Sequence, residues 1–144
     1  MTNPAAFSRE TDLTGLWSGE YWYGGIAAST PFVAHLIESG GDLAGTTLEP
    51  NQIAEGAGAE LSASLDGARG DLSVRFTKLY DPAPGVHALP IFYSGTVDAG
   101  LTVMEGEWTF SRPNYPQGRF VLVRVSRGAE ATATETSASV GMRR

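Results

Sequence analysis

Between residues 15 and 127, apolar side chains recur at every second position in short runs, each closed by a turn rich in glycine or proline. A period of two belongs to a half-buried strand, whose successive side chains point to opposite faces, and nowhere does it give way to a sustained helical period. Eight such segments stand out, near 15–23, 31–38, 43–49, 60–66, 71–80, 89–97, 102–110 and 118–126. Short links between consecutive strands favour an antiparallel meander, and closing the meander removes its two exposed edges. The expected fold is all-β, an eight-stranded antiparallel up-and-down barrel over residues 13–127. A barrel of this size encloses either packed side chains or one small ligand.

The turns set the register, and the register predicts the lumen. Ser39-Gly40-Gly41-Asp42 and Asp98-Ala99-Gly100 carry hairpin signals, and Asp66-Gly67-Ala68-Arg69-Gly70 reads as a third, longer turn. With Ala99-Gly100 as a two-residue loop, Val97 pairs with Thr102, Gly95 with Met104, Tyr93 with Gly106 and Ile91 with Trp108. That face is apolar and points inward, which leaves Glu105 and Glu107 in solvent. A loop one residue longer instead sets Tyr93 against Glu105. Around Gly40-Gly41, Glu38 pairs with Leu43, Leu36 with Gly45, Ala34 with Thr47 and Phe32 with Glu49. If Phe32 and Leu36 face inward, so does Glu49, unless it lies in water at the strand end. Lys78 is in phase with Leu72, Val74, Phe76 and Tyr80. Near a rim it reaches into the mouth or, as long cationic side chains usually do, turns outward to water with its stem over apolar surface; the outward course is the expected one. His35 falls on the outer face, and His87 sits in the proline-rich loop 81–88, placed to overhang the mouth.

Composition narrows the function. A net charge of −6 and the absence of a basic stripe argue against nucleic acid. No apolar run approaches the roughly 20 residues of a membrane span, and residues 1–10 do not read as a secretory signal, so a cytoplasmic protein is expected. With no cysteine there is neither a disulfide nor a zinc-thiolate site. No metal and no cofactor is expected. Residues 1–12 and the Ala-, Thr-, Ser- and Glu-rich stretch 128–144 read as disordered flanks.

The first strand contains Gly15-Leu16-Trp17 and the last contains Phe120-Val121-Leu122-Val123-Arg124. On these residues the chain resembles the calycin group of lipocalin, fatty-acid-binding and avidin-type barrels. The resemblance implies that Trp17 plugs the closed end of the barrel and that Arg124 stacks on its indole. The Leu13-Thr14-Gly15-Leu16-Trp17 start and Gly41-Asp42-Leu43-Ala44-Gly45-Thr46 are similar to avidin-type strands. However, Gly19 stands where those barrels place an Asn, and most of their biotin-contacting tryptophans have no counterpart.

Inward parity from Trp17 brings Tyr21 and Tyr23 into the lumen, beside Phe32, Phe76, Tyr80, Tyr93, Met104 and Trp108. Apolar rings tipped with hydroxyls suit a small, largely apolar or aromatic ligand. This is the expected function, a binding barrel. The alternative is a proton-transfer enzyme, an isomerase, cyclase or hydratase, with Glu49 as acid or base and Tyr93 or Tyr21 as hydrogen-bond donor. A barrel serving only as a scaffold for a protein partner is a third course. In the final strand Phe120 and Leu122 alternate with Val121, Val123 and Val125, so both faces read as buried, the mark of a homodimer contact.

Overall fold

The computed structural model describes residues 11–52, 54–56 and 58–125. The expected disordered tail, 128–144, and all but the last two residues of the expected polar start lie outside them. Eight strands follow in order: β1 (Gly15–Tyr23), β2 (Ser29–Ser39), β3 (Asp42–Pro50), β4 (Glu60–Gly70), β5 (Ser73–Tyr80), β6 (Ile91–Val97), β7 (Val103–Phe110) and β8 (Gln117–Arg124). Each pairs antiparallel with its neighbours in sequence, and β8 closes on β1. The fold is therefore the all-β, up-and-down barrel that the alternation predicts. Among the described residues, no helix is long and apolar enough to cross a membrane.

Two turns differ from expectation. The β6–β7 pairing is Val97 with Met104, Gly95 with Gly106, Tyr93 with Trp108 and Ile91 with Phe110, two residues away from a two-residue Ala99-Gly100 loop. Asp98 causes the longer connection. Its carboxylate accepts hydrogen bonds from the Thr102 and Val103 amides (2.7 and 3.1 Å) and from the Thr102 hydroxyl (2.8 Å). The Leu101 amide bonds to the Asp98 carbonyl, and Leu101 takes a positive φ of 56°. Because a shift of two preserves the face, the inward set survives the change of partners.

The second difference lies at 66–70. No turn forms there; β4 runs on to Gly70, which pairs with Ser73, and the chain reverses through Asp71 and Leu72. Gly67 is a place of close approach, since a Cβ there would come within 2.0 Å of the Arg75 carbonyl oxygen. Leu72 consequently sits exposed in the turn and leaves the inward series.

The short turns 40–41, 71–72 and 98–102 gather at one end of the barrel, and the longer connections that follow β1, β3, β5 and β7 at the other. Residues 11–14 seal the short-turn end. The Trp17 indole, fully buried, donates to the Leu13 carbonyl (3.0 Å), and the Arg124 guanidinium lies 4.7 Å from the indole centroid. Arg124 also donates to the carbonyls of Leu101, Thr14 and Asp12 (2.9, 2.7 and 2.5 Å), joining three chain segments. Beside it, Glu38 accepts from Arg69 Nε (2.8 Å) and from the Leu13 amide (2.9 Å). Above this seal Leu36, Met104, Phe120 and Leu122 fill the lower lumen without exposure. In β8, Phe120 and Leu122 are buried, while on the outer face Val121 is half-buried and Val123 is 47% exposed, so within the chain that face is only partly covered.

Candidate functional site

The upper half of the lumen holds charge. Glu49, near the end of β3, and Lys78, near the end of β5, both point inward and are almost without exposure. Lys78 Nζ lies 2.6 Å from Glu49 Oε1. The Tyr21 hydroxyl donates to Glu49 Oε2 (2.6 Å), and the Tyr80 hydroxyl lies 3.0 and 3.1 Å from the two carboxylate oxygens. One lumenal carboxylate thus gathers an ammonium and two phenols. A buried charge needs such company, because an isolated carboxylate or ammonium is very costly in a low-dielectric interior.

Rings enclose the ammonium. Its nitrogen lies 4.8 Å from the Tyr80 ring centroid, 5.0 Å from that of Tyr21, 5.2 Å from Phe32 and 5.9 Å from Tyr93. Burial pushes the Lys78 pKa below the usual lysine range, and the Glu49 charge opposes that shift. For Tyr21 and Tyr80, burial and then the Glu49 charge raise the hydroxyl pKa well above the ordinary phenol value. Tyr93 is raised too, first by burial. At neutral pH these hydroxyls are therefore un-ionised donors.

Above the pair lies an aromatic mouth. Tyr21, Tyr23, Tyr80, His87, Ile91, Tyr93, Trp108 and Phe110 line a cavity of about 20 Å³, roughly the space of one water molecule. Tyr23 meets Trp108 edge to face at 5.0 Å. Gly118 makes room for the Trp108 ring, since a Cβ there would come within 2.8 Å of it. The His87 ring sits between Tyr80 and Phe110, with centroid separations of 5.4 and 5.3 Å, and accepts a hydrogen bond from the Leu89 amide at Nδ1 (3.2 Å). Burial and then the nearby Lys78 charge lower its pKa below the usual imidazole value.

Of the residues expected around a ligand, Tyr21, Tyr23, Tyr80, Tyr93 and Trp108 come together at this mouth. Phe32 lies beneath, against Tyr21. Phe76 stacks on Tyr93 at 4.9 Å, and both meet Phe120. Phe76 and Met104 sit outside the cavity lining, as parts of the filled interior. For the proton-transfer alternative, Glu49 is inside, but its tyrosine donors are Tyr21 and Tyr80. Tyr93 lines the mouth and stacks on Phe76. His87 overhangs the mouth as the loop sequence suggests, while His35 is exposed on the outer face.

Lys78 is the side chain whose expected outward course is overturned: it is fully buried. One signal for this lies in the composition. Of ten basic residues, nine are arginines, and Lys78 is the single lysine in the chain. Among the described residues no three His, Cys, Asp or Glu side chains group as metal ligands. Compared with known proteins, the chain matches no family model, and no curated protein is similar enough to it to suggest a role.

Proposed function

We propose that the long-loop end of the barrel binds one planar, largely apolar molecule bearing a single polar group, held by rings at the mouth and oriented by the polar cluster beneath. The observation that carries this is the buried Lys78–Glu49 pair, with its two tyrosine donors, set directly under aromatic side chains. A buried ion pair is no better for stability than apolar residues of the same volume, and is often worse. A lumen filled solely for stability has no need of one. Four side chains that hydrogen-bond and ring faces that pack are the mixture found in small-molecule sites. The start at Gly15-Leu16-Trp17 with Arg124 across the indole, on a closed eight-stranded meander, supports a calycin-like relationship and with it the same function.

The size of the cavity dictates how binding proceeds. Pockets for small organic ligands occupy on the order of 300 Å³ or more, so about 20 Å³ does not admit a ring. The His87 side chain has to leave its place between Tyr80 and Phe110, which the 81–90 loop can allow without breaking a strand. Tyr93 and Tyr23 then present hydroxyls to the ligand.

Native mass spectrometry of gently purified protein, compared with its denatured mass, tests the proposal. A small molecule that departs on denaturation, and that Trp108→Ala protein no longer retains, is the expected result. If no such mass is found, and planar aromatic probes give no heat of binding in calorimetry, the proposal falls.

A further inference from the structure

The identity of the lumenal cation is unexplained by charge pairing alone. Everywhere else this chain uses arginine: Arg69 with Glu38, Arg119 with Glu105, Arg124 with carbonyls and Trp17. Arginine is also the better partner for a buried carboxylate, because its planar fork binds both oxygens. Its guanidinium does not deprotonate in proteins, however, whereas a buried lysine readily yields a neutral, nucleophilic amine. The one lysine in 144 residues stands where that property is of use. It is buried, 2.6 Å from a carboxylate that can take its proton, and packed against Tyr21, Tyr80 and Tyr93, which line the mouth.

We infer that Lys78 captures its ligand covalently and reversibly, as an imine with an aldehyde carried on a planar, apolar skeleton. This rests on the mouth being a ligand site and names the chemical class that the site takes. The ammonium passes a proton to Glu49, and the freed nitrogen pair attacks the carbonyl carbon while the C=O π pair moves to oxygen, which takes up the proton that the attacking nitrogen releases. The resulting carbinolamine loses its hydroxyl as water, with a proton from Glu49, as the nitrogen pair forms the C=N bond. The sum is R–CHO plus Lys78–NH3+ giving Lys78–NH+=CH–R plus water. No net charge is created in the barrel: the iminium replaces the ammonium opposite the same carboxylate, and Tyr21 and Tyr80 keep that carboxylate solvated.

The single lysine makes the test clean, because the only other amine is the chain terminus. The protein is incubated with 2-naphthaldehyde and sodium cyanoborohydride, which reduces imines to stable amines, and is then weighed intact and mapped by peptide. The expected product is one adduct per chain, with the mass of the aldehyde less one oxygen, on the peptide containing Lys78. Lys78→Arg protein, which keeps a cation facing Glu49, should lack that adduct. If that variant does not fold, the paired change Lys78→Met with Glu49→Leu serves instead. Calorimetry with 2-naphthalenemethanol, which has the same rings and no carbonyl, is run in parallel. Binding of the alcohol without an adduct at Lys78 overturns the imine and leaves the mouth a ligand site. An adduct confined to the terminal amine, with no binding of the alcohol, overturns both.

Discussion

Both ends of the barrel set a cation against aromatic rings, and they do so in opposite ways. At the short-turn end, Arg124 lies on Trp17 and directs its donors to the carbonyls of Asp12, Thr14 and Leu101. It ties the chain's entry, its last strand and the β6–β7 turn together, work that planar, multiple donors do well. At the long-loop end, Lys78 is surrounded by four rings and meets the carboxylate of Glu49. That contact ties β3 to β5 across the lumen, although both are already held through β4. All five tyrosines also lie toward this end, four lining the cavity and Tyr115 packed on Phe110. One end is built to stay shut; the other keeps charge and hydroxyls where a stable barrel requires neither.

Three predictions probe this contrast. The largest effect is expected from Glu49→Ala, which strands the Lys78 ammonium in the lumen and removes the acceptor of two phenols. Breaking one partner of a buried pair costs about 3–5 kcal/mol, and urea unfolding should show a loss of that size. Replacing both charges, Lys78→Met with Glu49→Leu, removes the stranded ammonium and should recover part of that loss, the Tyr21 and Tyr80 hydroxyls still lacking their acceptor, while ligand retention stays lost. A double variant that remains as unstable as Glu49→Ala would make the pair a structural device like Arg124.

Next in size is Arg124→Met. It leaves carbonyls at the sealed end short of donors and removes the cation from the indole face. The expected loss is about 1–3 kcal/mol, with ligand binding at the far end unchanged. If this substitution weakened binding as much as Trp108→Ala does, the two ends would not be separable.

How much of this is legible in the sequence differs between fold and site. Alternation shows eight strands and their inward faces, because side-chain parity is local and survives a shift of two in register. Asp98 shows why the exact partners do not follow: a carboxylate that accepts two backbone amides favours a longer loop than Ala99-Gly100 suggests. Gly67 misleads in another way, since glycine marks both turns and close approaches between strands, and only the packed barrel tells them apart. For Glu49 the sequence leaves two courses open, inward by its place opposite Phe32 or into water at the strand end, and the barrel takes the first. The partner of Glu49 is not legible. Lys78 and Glu49 lie on strands that are not neighbours, and no pairing rule along a sheet connects residues that meet across a lumen. Without a visible partner, a lysine near a strand end is expected to turn to water.

The smallest effect concerns His87, whose ring covers the mouth. Burial and the Lys78 charge lower its pKa from the ordinary 6.5. As pH falls below 6.5, the unfolded chain takes up this proton before the barrel does, so the stability His87 contributes is present above that value. It is lost as pH falls through the lowered one. The protonated ring would face Lys78 with like charge, which favours its leaving the gap between Tyr80 and Phe110. Two measurements follow: an NMR titration of His87 should give a midpoint below 6.5, and ligand association should quicken as the ring protonates. In the Lys78→Met, Glu49→Leu protein the midpoint should move back up, because one of its two depressing causes is gone. A midpoint that does not move would mean that desolvation alone sets it, and that the floor of the site does not sense the charge at its door.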